Sequence, residues 1–350
     1  MKISIGTNIK EGPWGGGNLF AINLKKFLIN KNIEVVHDLN DEDIDIILIT
    51  EPRKTSESSA FTHLEVEKYK KFVNNNVLVV HRLNECDERK GTKYVNRYLI
   101  NANKVAHQSI FVSNWLKELY LSQGIKSKNN KVIYAGADEQ IFNNENFIPW
   151  DNKEKLKIVT HHWGANWNKG FETYLLLDDL ISKENWKNKI SFTYIGNIPK
   201  NVKFKNVNII NPLSGKKLAD EIKKNHLYIT GSLNEPSGNH HIEGAQCGLP
   251  IMFINSGGTP EYCKDFGIEF QNENLETSLE KVMSNYTQLQ SNMHKYPYSS
   301  SKMCEEYYKM FIDLSKNSFK YLTSETPKAF SGVQKKIYLI NKNFKKNLNF

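Results

Sequence analysis

Between Gly231 and Cys263 the chain reads GSLNEPSGNHHIEGAQCGLPIMFINSGGTPEYC. Two carboxylates, Glu235 and Glu243, stand eight positions apart, followed by an apolar run and a glycine turn. Eight residues of helix rise about 12 Å, too far for two carboxyls to share a proton, and Pro236 and Gly238 interrupt a helix in any case. Glu235 is therefore expected in a loop and Glu243 on the helix after it. The turn Gly257-Gly258-Thr259-Pro260-Glu261 reads as a helix start, with Thr259 as N-cap, Pro260 in the first turn and Glu261 at the positive end. Backbone N–H groups at such a start form an anion site suited to a diphosphate, with carboxylates nearby to hold hydroxyl groups.

Other residues could join this chemistry. Lys169, within HHWGANWNKG (161–170), is a point charge that could stabilise a departing anion. Gly15, Gly16 and Gly17 offer a backbone that a ligand can approach closely, although the order GPWGGG is not a dinucleotide fingerprint. His81 follows the apolar run Val77–Val80 and is expected at the carboxyl end of a strand, at a reacting centre or as a hydrogen-bonded structural histidine. His240 beside Asn239 is expected to line a pocket. His240, His241, Glu243 and Cys247 could be read as metal ligands, but no second cluster completes a site, so no metal is expected. Asp41, Asp43 and Asp45 precede an apolar run and read as a solvated loop. The cysteines, four in all, include no C-x-x-C pair, which excludes a zinc ribbon, a redox pair or a disulfide framework.

The elements that must position these groups alternate between strand and helix, the signature of parallel sheets covered by helices. Strands are expected over 2–7, 33–36, 44–49, 77–81, 107–112 and 131–134. Helices are expected over 18–30 and after Ser113 to about 122. A second series follows a polar stretch at 143–154, with strands at 156–160, 190–196, 226–229 and 251–254 and helices at 171–180, 214–225 and 240–247. Two Rossmann-like halves are expected, 1–150 and 151–315, facing each other across a cleft at the carboxyl ends of their strands.

The length of 350 residues suits two such domains, and 39% hydrophobic with 24% charged residues is globular composition. No apolar run is long enough to span a bilayer and the N-terminus lacks a signal-peptide pattern, so a cytoplasmic protein is expected. Of the net charge of +9, +7 lies in residues 316–350, leaving +2 on the rest. This tail interleaves lysines with Val333, Ile337, Tyr338, Leu339 and Phe344. It reads either as a solvated terminal segment or as a peripheral contact with an anionic membrane at its inner face, and nucleic acid is not expected as a partner.

Taken together, these motifs resemble glycosyltransferase family 4, the retaining, metal-independent transferases of the α/β GT-B fold. The resemblance covers about residues 2–270 and rests on Glu235-x7-Glu243, Gly248-Leu249-Pro250 and Gly257-Gly258-x-x-Glu261. Gly136-Ala137-Asp138-x-x-Ile141-Phe142, Lys169-Gly170, Gly15-Gly16-Gly17 and His81-Arg82 support it. It implies a nucleotide-diphosphate sugar as donor and a glycan, lipid-linked or protein acceptor, with no cofactor. It implies Glu235, His81 and Lys169 at the reacting centre, Glu243 on the ribose, and Gly16, Gly17, Asn239, His240, Gly257, Gly258 and Thr259 around the donor. The family places an arginine five residues before the lysine, where this chain has Gly164, so one phosphate contact must come from His162, Asn166, Asn168 or elsewhere, or be absent. Rival readings are an epimerase or phosphorylase of the same fold, a non-catalytic transferase-like binding protein, and a dehydrogenase disfavoured by the poor fingerprint.

Overall fold

The computed structural model describes residues 1–10, 15–126, 129–320, 338 and 340. Gly12, Pro13 and Trp14 of the first glycine loop and nearly all of the basic tail lie outside them; Tyr338 stacks on Phe72 with ring centroids 5.1 Å apart.

The first half runs β1 (Lys2–Ile5), α1 (Gly16–Asn30), β2 (Glu34–Val36), β3 (Ile46–Ile49), α2 (His63–Phe72), β4 (Leu78–Leu83), α3 (Asp87–Lys90), α4 (Val95–Asn103), β5 (Gln108–Phe111), α5 (Asn114–Ser122) and β6 (Asn130–Val132). The second runs β7 (Leu156–His162), α6 (Phe171–Ser182), β8 (Ile190–Gly196), β9 (Asn208–Ile210), α7 (Gly215–Ile222), β10 (Leu227–Thr230), α8 (Asn239–Gln246), β11 (Ile251–Ile254), α9 (Thr259–Cys263), β12 (Gly267–Phe270), α10 (Leu275–Asn292) and α11 (Ser300–Lys316). Each half holds one six-stranded sheet, ordered β2-β1-β3-β4-β5-β6 and β12-β11-β10-β7-β8-β9, and every pairing is parallel. The expected doubly wound halves are present.

Alternation along the strands fills both faces of each sheet, as parallel strands require. In β3, Ile46 and Leu48 join α1 and α11, whereas Ile47 and Ile49 pack with α2 through Val66 and Tyr69. Local signals fix several helix starts. Ser113 caps α5 by accepting from Leu116 N, and Thr62 and Glu65 form a reciprocal capping box on α2.

Residues 300–315, grouped by sequence with the second half, pack on the first. Met303, Tyr307 and Phe311 of α11 share a core with Phe20 and Leu24 of α1 and with Ile3 of β1. At the crossing, Ser300 N donates to Ala137 O (2.7 Å). A Cβ on Gly136 would lie 2.1 Å from Ser299 O, so only glycine lets the two segments meet. Asp41 and Asp43 grip Lys2 Nζ at 3.0 and 2.8 Å.

Candidate functional site

A cleft of about 790 Å³ opens between the two halves, at the carboxyl ends of both sets of strands. From the first half it is lined by the start of α1 (Gly15–Asn18) and by the segments after β3 and β4. From the second it is lined by the end of β7, Lys169, Glu235 and the start of α8. Both sheets thus present their strand ends and helix starts to one space, the place where open α/β sheets bind ligands.

Lys169 and Glu235 meet at its floor. Lys169 Nζ lies 2.7 Å from Glu235 Oε2, and both are largely buried, with side chains 14% and 8% exposed. Glycine makes this approach possible. Gly170 adopts φ +100°, and a Cβ there would stand 2.6 Å from Gly231 C, so the backbone carrying Lys169 rests directly on the backbone leading to Glu235. Leu233 N donates to Asn168 O (2.8 Å) and fixes the register of the two loops.

A second cation reaches Glu235 from the other half. Arg89, on α3, places Nε 3.3 Å from Glu235 Oε1 and 3.5 Å from Glu85 Oε1. Burial alone would raise the Glu235 carboxyl, but the charges of Lys169 and Arg89 outweigh it and the group is lowered to about 2. Glu235 is therefore ionised at neutral pH. Burial lowers Lys169, the attraction of Glu235 opposes that, and the charge of Arg89 adds to it. The two directions are compatible: two carboxylates, Glu235 and Glu85, serve three cations, Lys169, Arg89 and Lys90, so the cluster carries surplus positive charge.

Glu243 faces the same cleft from α8 and accepts a hydrogen bond from, or pairs with, His161 Nε2 at 2.7 Å. His161 Nδ1 is 3.0 Å from Tyr228 Oη. His240 lines the wall, its Nε2 2.8 Å from Thr230 Oγ1 and its ring 4.5 Å from that of His162. Burial first, and neighbouring positive groups second, hold His162 and His240 far below the usual imidazole range, so both are neutral donors or acceptors here. Asn239 begins α8 beside Gly16, where an added Cβ would meet its Nδ2 at 2.9 Å. Gly16, Gly17, Asn239, His240, Glu243, Lys169 and Glu235 therefore all gather on the cleft.

Two expectations are corrected. His81 is fully buried away from the cleft, with Nδ1 3.1 Å from Asn103 Nδ2 and burial lowering it to about 3. The strand's period of two is the reason: His81 points to the α4 side, and its neighbour Arg82 points to α1, stacking on Phe20 (4.0 Å) and lining the cleft.

Gly257, Gly258 and Thr259 do not line the cleft; they brace the Glu235 loop from behind. Gly257 has φ +65° and would put a Cβ 2.5 Å from Glu235 O, and Gly258 N donates to that oxygen (2.8 Å). Thr259 lies inside α9 and caps nothing, its buried Oγ1 unpartnered among the described residues. Glu261 instead crosses to the first half, accepting from Asn114 N (2.8 Å) and Trp115 N (2.7 Å) at the start of α5.

Sequence reading missed Arg89, Arg53 and Arg82. Arg53 pairs with Glu51, two residues away. Arg89 and Arg53 stand in no local pattern, and Arg82 entered only as the neighbour of His81; the tertiary fold brings all three to the cleft.

Residues 174–300 match the family model described as glycosyl transferases group 1. No curated protein matches the chain by sequence. Among solved structures, Anabaena Alr3699/HepE, in complex with UDP and glucose, is 14% identical over 90% of this chain and 100% of its own, with a TM-score of 0.64. A glycosyltransferase from Rickettsia africae is 14% identical over 90% and 99%, at 0.63. Sucrose-phosphate synthase from Thermosynechococcus elongatus is 12% identical over 89% and 98%, at 0.61. At such identities these similarities show the shared GT-B fold.

Proposed function

From a second half that carries the glycosyl transferases group 1 domain, we infer that the protein transfers a sugar from a nucleoside-diphosphate sugar to an acceptor hydroxyl. The observation that carries this reading is the Lys169–Glu235 pair on the cleft floor, with Glu243 on the same wall. Breaking the bond between the anomeric carbon and the phosphate oxygen leaves the electron pair on the diphosphate and positive charge on the sugar ring. The Lys169 ammonium offsets the first and the ionised Glu235 the second. Protein cations in this position supply the charge that a divalent metal supplies elsewhere, which supports turnover without metal.

Retention of configuration is the course we propose. Inversion needs a base free to deprotonate an acceptor on the opposite face of the ring, and both glutamates are already engaged, Glu235 by cations and Glu243 by His161. On the first-half wall, Asn8, Lys10, Ser56 and Ser58 suit a hydroxyl-rich acceptor such as a glycan, free, lipid-linked or on protein.

The test is a binding panel of UDP, GDP, dTDP, ADP and CMP in EDTA, followed by donor turnover with and without magnesium. A nucleoside diphosphate at about 100 times its Kd should stabilise the fold by about 2.7 kcal/mol, and Glu243→Ala should lose that stabilisation. Binding by no diphosphate would overturn the reading, and activity that EDTA abolishes and magnesium restores would overturn its metal independence. Anabaena HepE, solved with UDP and glucose, makes UDP the first member to try.

A further inference from the structure

We propose that Arg89 grips the donor diphosphate from the opposite domain, taking the place of a cation that the second domain lacks beside Lys169. The proposal rests on the sugar-transfer reading and goes beyond it by naming a second phosphate-binding residue and its origin in the first half of the chain.

Three observations carry it. First, position 164 adjoins Lys169 and supplies no side chain: a Cβ on Gly164 would stand 3.9 Å from Lys169 Cε, its one contact within 4 Å among the described residues, and glycine brings no charge there. A lone ammonium is a single point charge facing a group that carries two phosphates.

Second, Arg89 arrives at the same carboxylate from across the cleft, with Nε 3.3 Å from Glu235 Oε1 while Lys169 holds Oε2 at 2.7 Å. Its side chain is 26% exposed and lines the cleft. Among the described residues its two terminal nitrogens make no hydrogen bond. Those two nitrogens carry four of the guanidinium's five N–H groups, and the planar fork matches phosphate oxygens in pairs.

Third, the element carrying Arg89 is built to stay there. Asp87 gathers the backbone N–H groups of Tyr94, Val95 and Asn96 at 2.9–3.0 Å and so folds the chain back after α3. The second half then holds α3 by its carbonyls, through Asn168 Nδ2 to Arg89 O (3.2 Å) and Asn234 Nδ2 to Glu88 O (3.4 Å). Asn168 adjoins Lys169 and Asn234 adjoins Glu235, so the contacts that dock α3 are neighbours of the groups it completes. Glu85 pairs with Lys90 (2.9 Å) as well as Arg89, which leaves Arg89 only partly neutralised.

The test compares the nucleoside diphosphate that binds in the panel above with its parent nucleoside, by calorimetry on wild type, Arg89→Met, Arg89→Lys and Arg89→Met/Gly164→Arg. Arg89→Met should weaken diphosphate binding about 10- to 100-fold and leave the nucleoside unchanged, as loss of a charge-assisted phosphate contact does. Arg89→Lys should recover part of the loss. The double variant, with a cation restored beside Lys169, should recover more than Arg89→Met alone. Equal weakening of diphosphate and nucleoside would overturn the proposal by showing a merely structural role, and so would unchanged diphosphate affinity in Arg89→Met. Wild type that binds no diphosphate would overturn the sugar-transfer reading and this proposal with it; the other failures leave that reading standing.

Discussion

One position on β4 separates a histidine that reads as reactive from an arginine that lines the cleft. His81 and Arg82 are consecutive, and the alternation of a strand sends them to opposite faces. An apolar run followed by histidine was legible; which of two adjacent residues would meet the cleft depended on the register against β3 and β5, which sequence spacing does not report. The structure places His81 between Asn103 and the helices behind the sheet, its Nε2 unpartnered among the described residues. His81→Leu should therefore leave kcat within about two-fold of wild type. Its effect should appear in stability, on the order of 1–3 kcal/mol, because Asn103 loses a partner inside the core. Turnover of the purified, folded variant together with its urea midpoint decides: a hundred-fold loss of kcat at unchanged stability would restore His81 to the reacting centre. Glu235, Glu243 and Lys169 were legible because spacing, glycine neighbours and family resemblance all coincided on them. Arg89 was not, because a basic residue in DERK looks like any solvated turn until the fold docks it against Glu235.

At the scale of elements, glycines decide how closely the loops of Lys169 and Glu235 approach. Gly170 holds φ +100° with the backbone of Gly231 against it. Gly170→Ala would place a methyl 2.6 Å from Gly231 C, and neither partner is a flexible side chain that could move aside. The loops must separate, carrying Lys169 away from Glu235. Misplacement of about 1 Å can cost about 100-fold in rate, and left-handed strain adds on the order of 1–3 kcal/mol. Steady-state kinetics should show kcat falling more than KM rises; wild-type kcat would show that the contact is not what sets the Lys169 position. Most strands were legible, β8 and β11 to the residue, because parallel strands buried on both faces are continuous apolar runs. The Thr62-x-x-Glu65 capping box could have disclosed α2. The short α3 had no such signal, since its shape comes from Asp87 binding backbone N–H groups seven to nine residues ahead. The return of α11 to the first half was hidden for a different reason: its apolar stripe says that it packs, not on which sheet.

For the whole molecule, histidine burial sets the response to acid. His81 and His241 are lowered to about 3 and His107 to about 4, in each case chiefly by burial, and His162 and His240 are held well below the usual imidazole range by the same cause. In the unfolded chain each imidazole titrates near 6.5. Below that value the unfolded state takes up protons that the folded state refuses, so stability is full above about 6.5 and falls as pH drops toward the folded values. Each such histidine contributes up to about 1.4 kcal/mol per pH unit, so His81, His107 and His241 alone give about 4 kcal/mol per unit once pH is well below 6.5. Glu235 adds nothing in this window. Its folded value of about 2 is depressed, so its stabilisation persists above about 4.5 and is lost only between there and 2. A domain's total stability is about 5–15 kcal/mol, which places acid unfolding near pH 5, well before Glu235 protonates. Urea midpoints at pH 7.5, 6.5, 5.5 and 5.0 should be nearly level across the first two and then drop steeply. A midpoint that stayed level to pH 5.0 would mean that these histidines reach water or a partner in the folded protein. It would also undercut the neutral state assigned to His162 and His240 on the cleft wall.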